Sequence, residues 1–324
     1  MKICFLDSVN VPYTSKDIYS NKIRGAENIL INLSTEFSKL NHEVTIYNNC
    51  DNNIKIDNIE WVNINNINDK PYYDLAISNN DIRLFDKIKA SKKVAISHSI
   101  QSIEKFIRKD QLFAYIKHKP KIALLGNYHE KNRNYFLKMF GYFYTDWAVD
   151  KIFIETDIKP SVINNQAIFT SYSDRNLDLL IKIWKEKIFP KDNKIKLLIT
   201  PIDNNYIKYN IHNRIFGDKA KLVSDILQSR IFLIPGHKAE LFCIAAEEAR
   251  ELCVPIVTLG IGCLKERVNH GITGLIAKNE NEFVDYTFQL FNDNDAWIEM
   301  KKNLMSLRGS KQWKDIAKNF IKNS

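Results

Sequence analysis

The chain has 324 residues, 45% of them hydrophobic and 26% charged. That is enough to bury a substantial core and to form about two domains, and it excludes a disordered or fibrous chain. A formal charge of +9 and a pI of about 9.1 favour anionic partners, although a compositional bias towards Lys, Asn and Ile would give the same balance.

KICFLD opens the chain as a strand. A polar loop through Arg24-Gly25 follows, and AENILINLSTEFSKLN then carries Ile29, Leu30, Leu33, Phe37 and Leu40 at helical spacing. EVTIY and IEWVNI are the next strands. DLAIS, KVAIS and KIALL are short apolar runs, each followed by a polar or helical stretch. This alternation predicts a mostly parallel sheet covered on both faces. After IFIETDIKP the pattern restarts: strand QAIFT, helix LDLLIKIWKE, strands KIKLLIT, RIF (214–216) and RIFLIP, helix LFCIAAEEAREL, strand PIVTL. Two doubly wound domains are expected, with a boundary near residues 155–165. The tail SKQWKDIAKNFIKNS reads as an amphipathic packing helix with Trp313, Ile316, Phe320 and Ile321 on one face.

Five cysteines without a CxxC match no usual zinc spacing and read as reduced, buried thiols. MKICFLDSV lacks the apolar core of a signal peptide, and no run reaches the length of a membrane span. A cytoplasmic location is therefore expected. Lys residues are scattered without an aromatic-interleaved basic motif, so nucleic acid is not an expected partner.

Open parallel sheets bind ligands beyond the carboxyl ends of their strands, and two facing sheets make a cleft between domains. That directs attention to residues 9–25, 98–101, 170–175 and 235–242. In PGHKAELFCIAAEEARELCVPIV a strand ends and a helix begins, and the free N–H groups of a helix start attract anions such as a diphosphate. Glu240 and Glu248 are eight residues apart. On one continuous helix that is a rise of roughly 12 Å and a rotation of about 80° off one face. A carboxylate pair flanking one glycosidic bond would sit about 5 to 9.5 Å apart. The spacing instead suits a ligand with hydroxyls at each end and phosphates between, which is the layout of a sugar nucleotide. The competing possibility is that Glu247, Glu248 and Glu251 form a solvated helix face.

AELFCIAAEEARELCVPIV resembles the E-x7-E region of family-4 glycosyltransferases, retaining enzymes of the GT-B fold. Glu240, Phe242, Glu248, Ala249, Pro255 and Val257 match that pattern, while Cys243 and Cys253 stand where glycines are common. GCLKERVNHGITGLI is similar to a downstream family segment through Gly262, Glu266, Val268, Gly271 and Gly274. AIFTSYSDRNLDLLIKIW resembles the start of the family's C-terminal domain, where Arg175 occupies the diphosphate-binding position. Thr170 stands where many members carry a second Arg. IRGAENILINLSTEFSKLNHEVTIY resembles the glycine-rich N-terminal segment, with Gly25 matched and Arg24 replacing the other glycine. His98 sits where the family often places a histidine near the reacting sugar. Asp293-Asn294-Asp295 formally matches the metal-binding D-x-D of another glycosyltransferase class, but its position between two helical patterns reads as a capping loop.

The resemblance implies an α/β GT-B protein of two Rossmann-like domains. Residues 1–157 would bind the acceptor and 158–305 the nucleotide sugar, and 306–324 would form a helix returning to the first domain. It implies sugar transfer with retention to a glycan or lipid-linked acceptor, in surface polysaccharide or lipopolysaccharide biosynthesis. No metal or other cofactor would be obligatory. Glu248 would hold the ribose. Arg175 and the helix start at Leu241, Phe242 and Cys243 would face the diphosphate, with Thr170 nearby. Glu240 would hold the donor sugar, and the base would rest by Arg214 and Ile215. Gly25 and His98 would face the cleft, Gly25 letting the backbone approach a phosphate or sugar of the donor and His98 near the reacting sugar. Closure of the domains would exclude water. The basic charge would seat the enzyme on the inner face of an anionic membrane. The alternatives are a non-catalytic sugar-nucleotide-binding or partner subunit, or a GT-B epimerase or hydrolase.

Overall fold

A computed structural model describes residues 1–20, 23–100, 102–158 and 164–324. Parts of three segments singled out above lie outside the described residues: Asn21 and Lys22, Gln101, and residues 159–163 of the expected linker. The chain forms two compact units, Met1–Ala148 with Gln312–Ser324, and Val149–Lys311. The split falls earlier than the patterning placed it, so Asp150 belongs with the second unit.

In the first unit the strands are β1 (Lys2–Asp7), β2 (Glu43–Asn48), β3 (Ile54–Ile56), β4 (Ile59–Asn63), β5 (Tyr72–Asn79), β6 (Lys89–Ile96), β7 (Lys121–Leu124) and β8 (Tyr142–Tyr144). They form one sheet in the order β3-β4-β2-β1-β5-β6-β7-β8, parallel except for the β3–β4 pairing. β1 and β2 are buried along nearly their whole length, as strands covered on both faces must be. The helix Gly25–Lys39 turns Ile29, Leu30, Leu33 and Phe37 inward. Its start is fixed by Glu27, whose carboxylate accepts from the Arg24 N–H at 2.8 Å.

The closing helix Trp313–Asn323 packs within this unit. Trp313 and Phe320 stack on the fully buried Trp147 at centroid distances of 6.0 and 6.1 Å. Phe320 also meets Phe143 edge-on at 5.1 Å. A second cluster joins Phe106, Tyr115, Phe136 and Phe140 through ring contacts of 5.1 to 6.2 Å.

The second unit contains β9 (Gln166–Phe169), β10 (Lys196–Ile199), β11 (Ile211–Asn213), β12 (Ile231–Leu233), β13 (Ile256–Thr258) and β14 (Gly274–Ile276). All are parallel, in the order β11-β10-β9-β12-β13-β14. Numbered within the unit this is 3-2-1-4-5-6, the doubly wound dinucleotide-binding order. Its core includes Trp184 and Trp297, whose indole N–H groups donate to Tyr209 O at 3.0 Å and Arg230 O at 2.7 Å.

Four strands differ from the reading of the sequence. β3, β8 and β14 are three-residue strands, all at sheet edges, too short for a periodic signal. The third strand of the second unit is Ile211–Asn213 and not 214–216. Ile215 and Phe216 are 76% and 69% exposed, and Arg214 leaves the strand to bond Asp225. Asp293 caps the helix Asn294–Leu307 by accepting from Ala296 N at 3.0 Å, as the capping-loop reading requires.

Candidate functional site

In the second unit the chain reverses its direction of winding between β9 and β12. Loops leaving two adjacent strands part there, and that is where doubly wound sheets take ligands. The loop after β9 carries Thr170 and Arg175, and the loop after β12 carries Gly236 and Glu240. Asn176 ties the two together: its backbone is left-handed (φ 63) and its side-chain amide donates to Gly236 O. Gly236 (φ +95) bridges Ile261, and Gly262 (φ +74) lies against His237. A Cβ on Gly262 would stand 2.3 Å from His237 O, so only glycine fits.

Glu240 ends this loop. Burial pushes its carboxyl pKa upward, against a hydrogen bond from the Cys243 thiol and the charge of Arg175. One carboxyl oxygen, Oε2, is buried with no hydrogen-bond partner. Thr170 Oγ1, at the end of β9, is in the same condition. Buried polar atoms normally have partners, so two orphans on neighbouring loops mark a place where a polar ligand would complete the set. Arg175 sits in the turn before the helix Leu177–Ile183, and its guanidinium makes a long 3.7 Å contact with the exposed Asp174.

The three carboxylates of the helix Ile244–Glu251 divide by role. Glu247 and Glu251 are 2% and 1% exposed, so the solvated-face possibility fails for both. Glu247 accepts from Arg250 at 2.7 Å and from Lys311 at 2.8 Å, with Arg267 at 3.4 Å. Glu251 accepts from Arg250 at 2.5 Å and from Gly309 N at 2.7 Å. These two hold the helix in place. Among the described residues no cation is paired with Glu248; the nearby Lys219 and Arg214 are held by Asp150 and Asp225. Burial first, and the neighbouring Asp150 second, raise its pKa to about 8, with Lys219 and Arg214 pulling it down. A carboxyl group held protonated at neutral pH can both donate to and accept from a hydroxyl.

The helix start differs from the expected one. The helix begins at Ile244, and Cys243 precedes it in a left-handed conformation (φ 61). Leu241, Phe242 and Cys243 are buried outside the first turn, and the Phe242 ring lies under Arg267 and Lys311 at 4.3 and 5.6 Å. They pack the helix end, so any anion-facing N–H groups belong to Ile244 and Ala245. Arg214 is held by Asp225 at 2.9 Å, which leaves Ile215 and Phe216 as the exposed part of that segment. Two cavities of about 470 and 510 Å³ lie beside Leu259 and Lys278, and neither is lined by Glu240, Glu248 or Arg175.

Gly25 and His98 belong to the first unit. Gly25 is the first residue of the helix Gly25–Lys39. His98 follows β6, with Nε2 2.8 Å from Asn79 Oδ1 and its backbone N–H 3.2 Å from Asn80 Oδ1. Burial lowers its pKa to about 4, so the ring is neutral, and bonding to the Asn79 carbonyl places its proton on Nε2. Beside Asn79 the buried Asp7 accepts from Tyr13 OH at 2.7 Å, and burial raises its pKa.

Sequence reasoning missed Asp150, Lys219, Asn176 and Asn79. Only Asn176 carried a local signal, an Asn directly before a helical run; the other three act through contacts between distant segments.

Residues 172–305 match the family model of glycosyl transferases group 1. No curated protein matches the chain by sequence. Among solved structures, sucrose-phosphate synthase from Thermosynechococcus elongatus superposes with a TM-score of 0.74 at 12% identity, covering 99% of this chain and 97% of that one. HepE from Anabaena, in complex with UDP and glucose, gives 0.71 at 14%, covering 99% and 98%. WaaG, a glycosyltransferase involved in lipopolysaccharide biosynthesis, gives 0.67 at 10%, covering 98% of each. The chain thus has the GT-B fold.

Proposed function

We propose that the chain is a glycosyltransferase. It moves a sugar from a nucleoside-diphosphate sugar to a glycan or lipid-linked acceptor with retention, in surface polysaccharide or lipopolysaccharide assembly. The observation that carries this reading is the switch point of the second unit, where Arg175, the unpartnered Glu240 and Thr170 oxygens and the raised-pKa Glu248 lie on the loops and helix beyond β9 and β12.

In this reading Glu248 bonds the ribose hydroxyls and Glu240 bonds the donor sugar. Arg175 and the N–H groups of Ile244 and Ala245 face the diphosphate. As the nucleoside diphosphate leaves, negative charge grows on its phosphate oxygens. Fixed cations and N–H donors lower that barrier, each worth roughly 3 to 4 kcal/mol, without an obligatory metal ion. Gly25 and the neutral His98 serve the acceptor side. Thr170 supplies a hydroxyl in place of a second cation. That substitution favours, as the second reading, a subunit that binds the nucleotide sugar without turning it over.

A thermal-shift panel of UDP-, GDP-, ADP- and TDP-linked sugars tests this, beginning with UDP-glucose, which HepE binds in a related structure. Ligand at about a hundred times its dissociation constant adds roughly 2.7 kcal/mol. A shift with one base, lost in Glu248→Ala, supports the donor site. Transfer to an added acceptor separates an enzyme from a binding subunit. No shift with any donor would sink the reading.

A further inference from the structure

Two buried cysteines of the second unit, Cys243 and Cys253, have left-handed backbones, with φ 61 and φ 56. A glycine takes that backbone without strain, whereas a side chain persists there when its surroundings hold it. The surroundings of the two differ.

Cys253 is explained by the helix it ends. It follows Leu252 at the C-terminus of the helix Ile244–Glu251, where a left-handed residue closes the last turn. Cys253 N–H donates to Arg250 O at 3.1 Å and Val254 N–H to Ala249 O at 2.9 Å. Its thiol lies 4.0 Å from Glu251 O. These are backbone duties that a glycine would perform as well.

Cys243 stands at the other end of the same helix, where a side chain ordinarily accepts from the free N–H groups of the first turn. Among the described residues it makes no such bond. Its carbonyl accepts from Ala246 N at 3.1 Å, and its thiol turns back to donate to the carboxyl group of Glu240. Burial first, and the Glu240 charge second, push the thiol well above its ordinary pKa, so it stays a donor. Oε2 of the same carboxyl group is left buried and without a partner. Unlike Cys253, Cys243 carries a side chain whose visible task is to hold a neighbouring acid.

We propose that Cys243 is a positioning residue: its thiol fixes the Glu240 carboxyl group in the orientation that presents Oε2 to a hydroxyl of the donor sugar. The inference rests on the donor reading of the switch point. It concerns the sugar end of the ligand, because that reading gives the nucleoside diphosphate to Glu248, Arg175, Ile244 and Ala245. A carboxyl group already oriented has less freedom to lose when the sugar arrives.

The test is isothermal titration calorimetry with UDP-glucose and with UDP, or with the corresponding pair for whichever base shifts the wild type. Cys243→Ala should bind the sugar nucleotide about tenfold more weakly and the nucleoside diphosphate as the wild type does. Cys243→Ser, which keeps a donor, should recover most of that loss. Cys243→Gly and Cys253→Gly remove the same side chain from the same backbone conformation, so their thermal midpoints should move alike, and only Cys243→Gly should lose affinity for the sugar nucleotide. An equal loss for both ligands, no loss in Cys243→Ala, no recovery in Cys243→Ser, or the same loss in Cys253→Gly would overturn the inference and leave the donor reading standing. A wild type that binds no sugar nucleotide and no nucleoside diphosphate would overturn the donor reading and the inference with it.

Discussion

Replacing Glu248 by Gln should remove a specific limb of the stability–pH curve. The folded protein holds the Glu248 proton up to about pH 8, whereas the unfolded chain releases it near the ordinary value of 4.5. Between those values the folded state binds the extra proton, so stability falls as pH rises and the loss is complete above about 8. His98 and His129 shift the other way, to about 4, so they add stability as pH rises through 6.5 to about a unit above it, in wild type and variant alike. From about 6.5 to 8 the difference between wild type and Glu248→Gln therefore isolates Glu248. At 1.36 kcal/mol per pH unit it should cost wild type roughly 2 kcal/mol. For a unit of this size that is roughly 4 to 8 °C in thermal midpoint. Differential scanning calorimetry across that window should show the wild-type midpoint falling relative to that of Glu248→Gln. Parallel curves for the two proteins would refute the assignment of a carboxyl whose pKa is raised to about 8 at this position.

Arg175→Ala should lower transfer from the preferred donor by roughly a hundredfold in kcat, with the thermal midpoint of the unliganded protein unchanged. Gly262→Ala should destabilise by at least about 2 kcal/mol in urea melts, because it forces a side chain into a left-handed backbone against His237 O. Phe320→Ala should cost about 3 to 5 kcal/mol by the same measurement, since it empties the space between Trp147 and Phe143. His98→Asn should reduce the acid-side loss of stability. The folded pKa of His98 is lowered, so its contribution is present above 6.5 and disappears as pH falls towards 4, which a pH titration of the midpoint would reveal.

The architecture was legible because its signal is repetitive. Each buried strand is a short apolar run and each helix shows its own period, so the order of elements implied two parallel sheets. The edge strands β3, β8 and β14 escaped because three residues carry no period and, unlike the equally short β12 in RIFLIP and β13 in PIVTL, they lie in no longer apolar run. The segment 214–216 misled because Ile215 and Phe216 are apolar and yet exposed, which composition does not reveal. Within E-x7-E the sequence identified the pair but not its division of labour. Glu247 and Glu248 are adjacent and chemically alike, and only the position of Arg250, Arg267 and Lys311 on one side and Asp150 on the other makes one an anchor and the other a strained acid. The helix start was misplaced because Leu241, Phe242 and Cys243 are apolar enough to continue a helical pattern, whereas the left-handed turn at Cys243 is a property of backbone that its side chain does not announce.

The return of residues 312–324 to the first unit has a consequence for the order in which the protein is made. Trp147 is covered by Trp313 and Phe320, so the first unit lacks part of its core until the last residues of this sequence leave the ribosome. The intervening stretch, residues 149–311, takes roughly ten to thirty seconds to translate at ordinary rates. The second unit, begun later, can close before the first, which must wait with an apolar slot open. The first unit is begun before the second and completed after it.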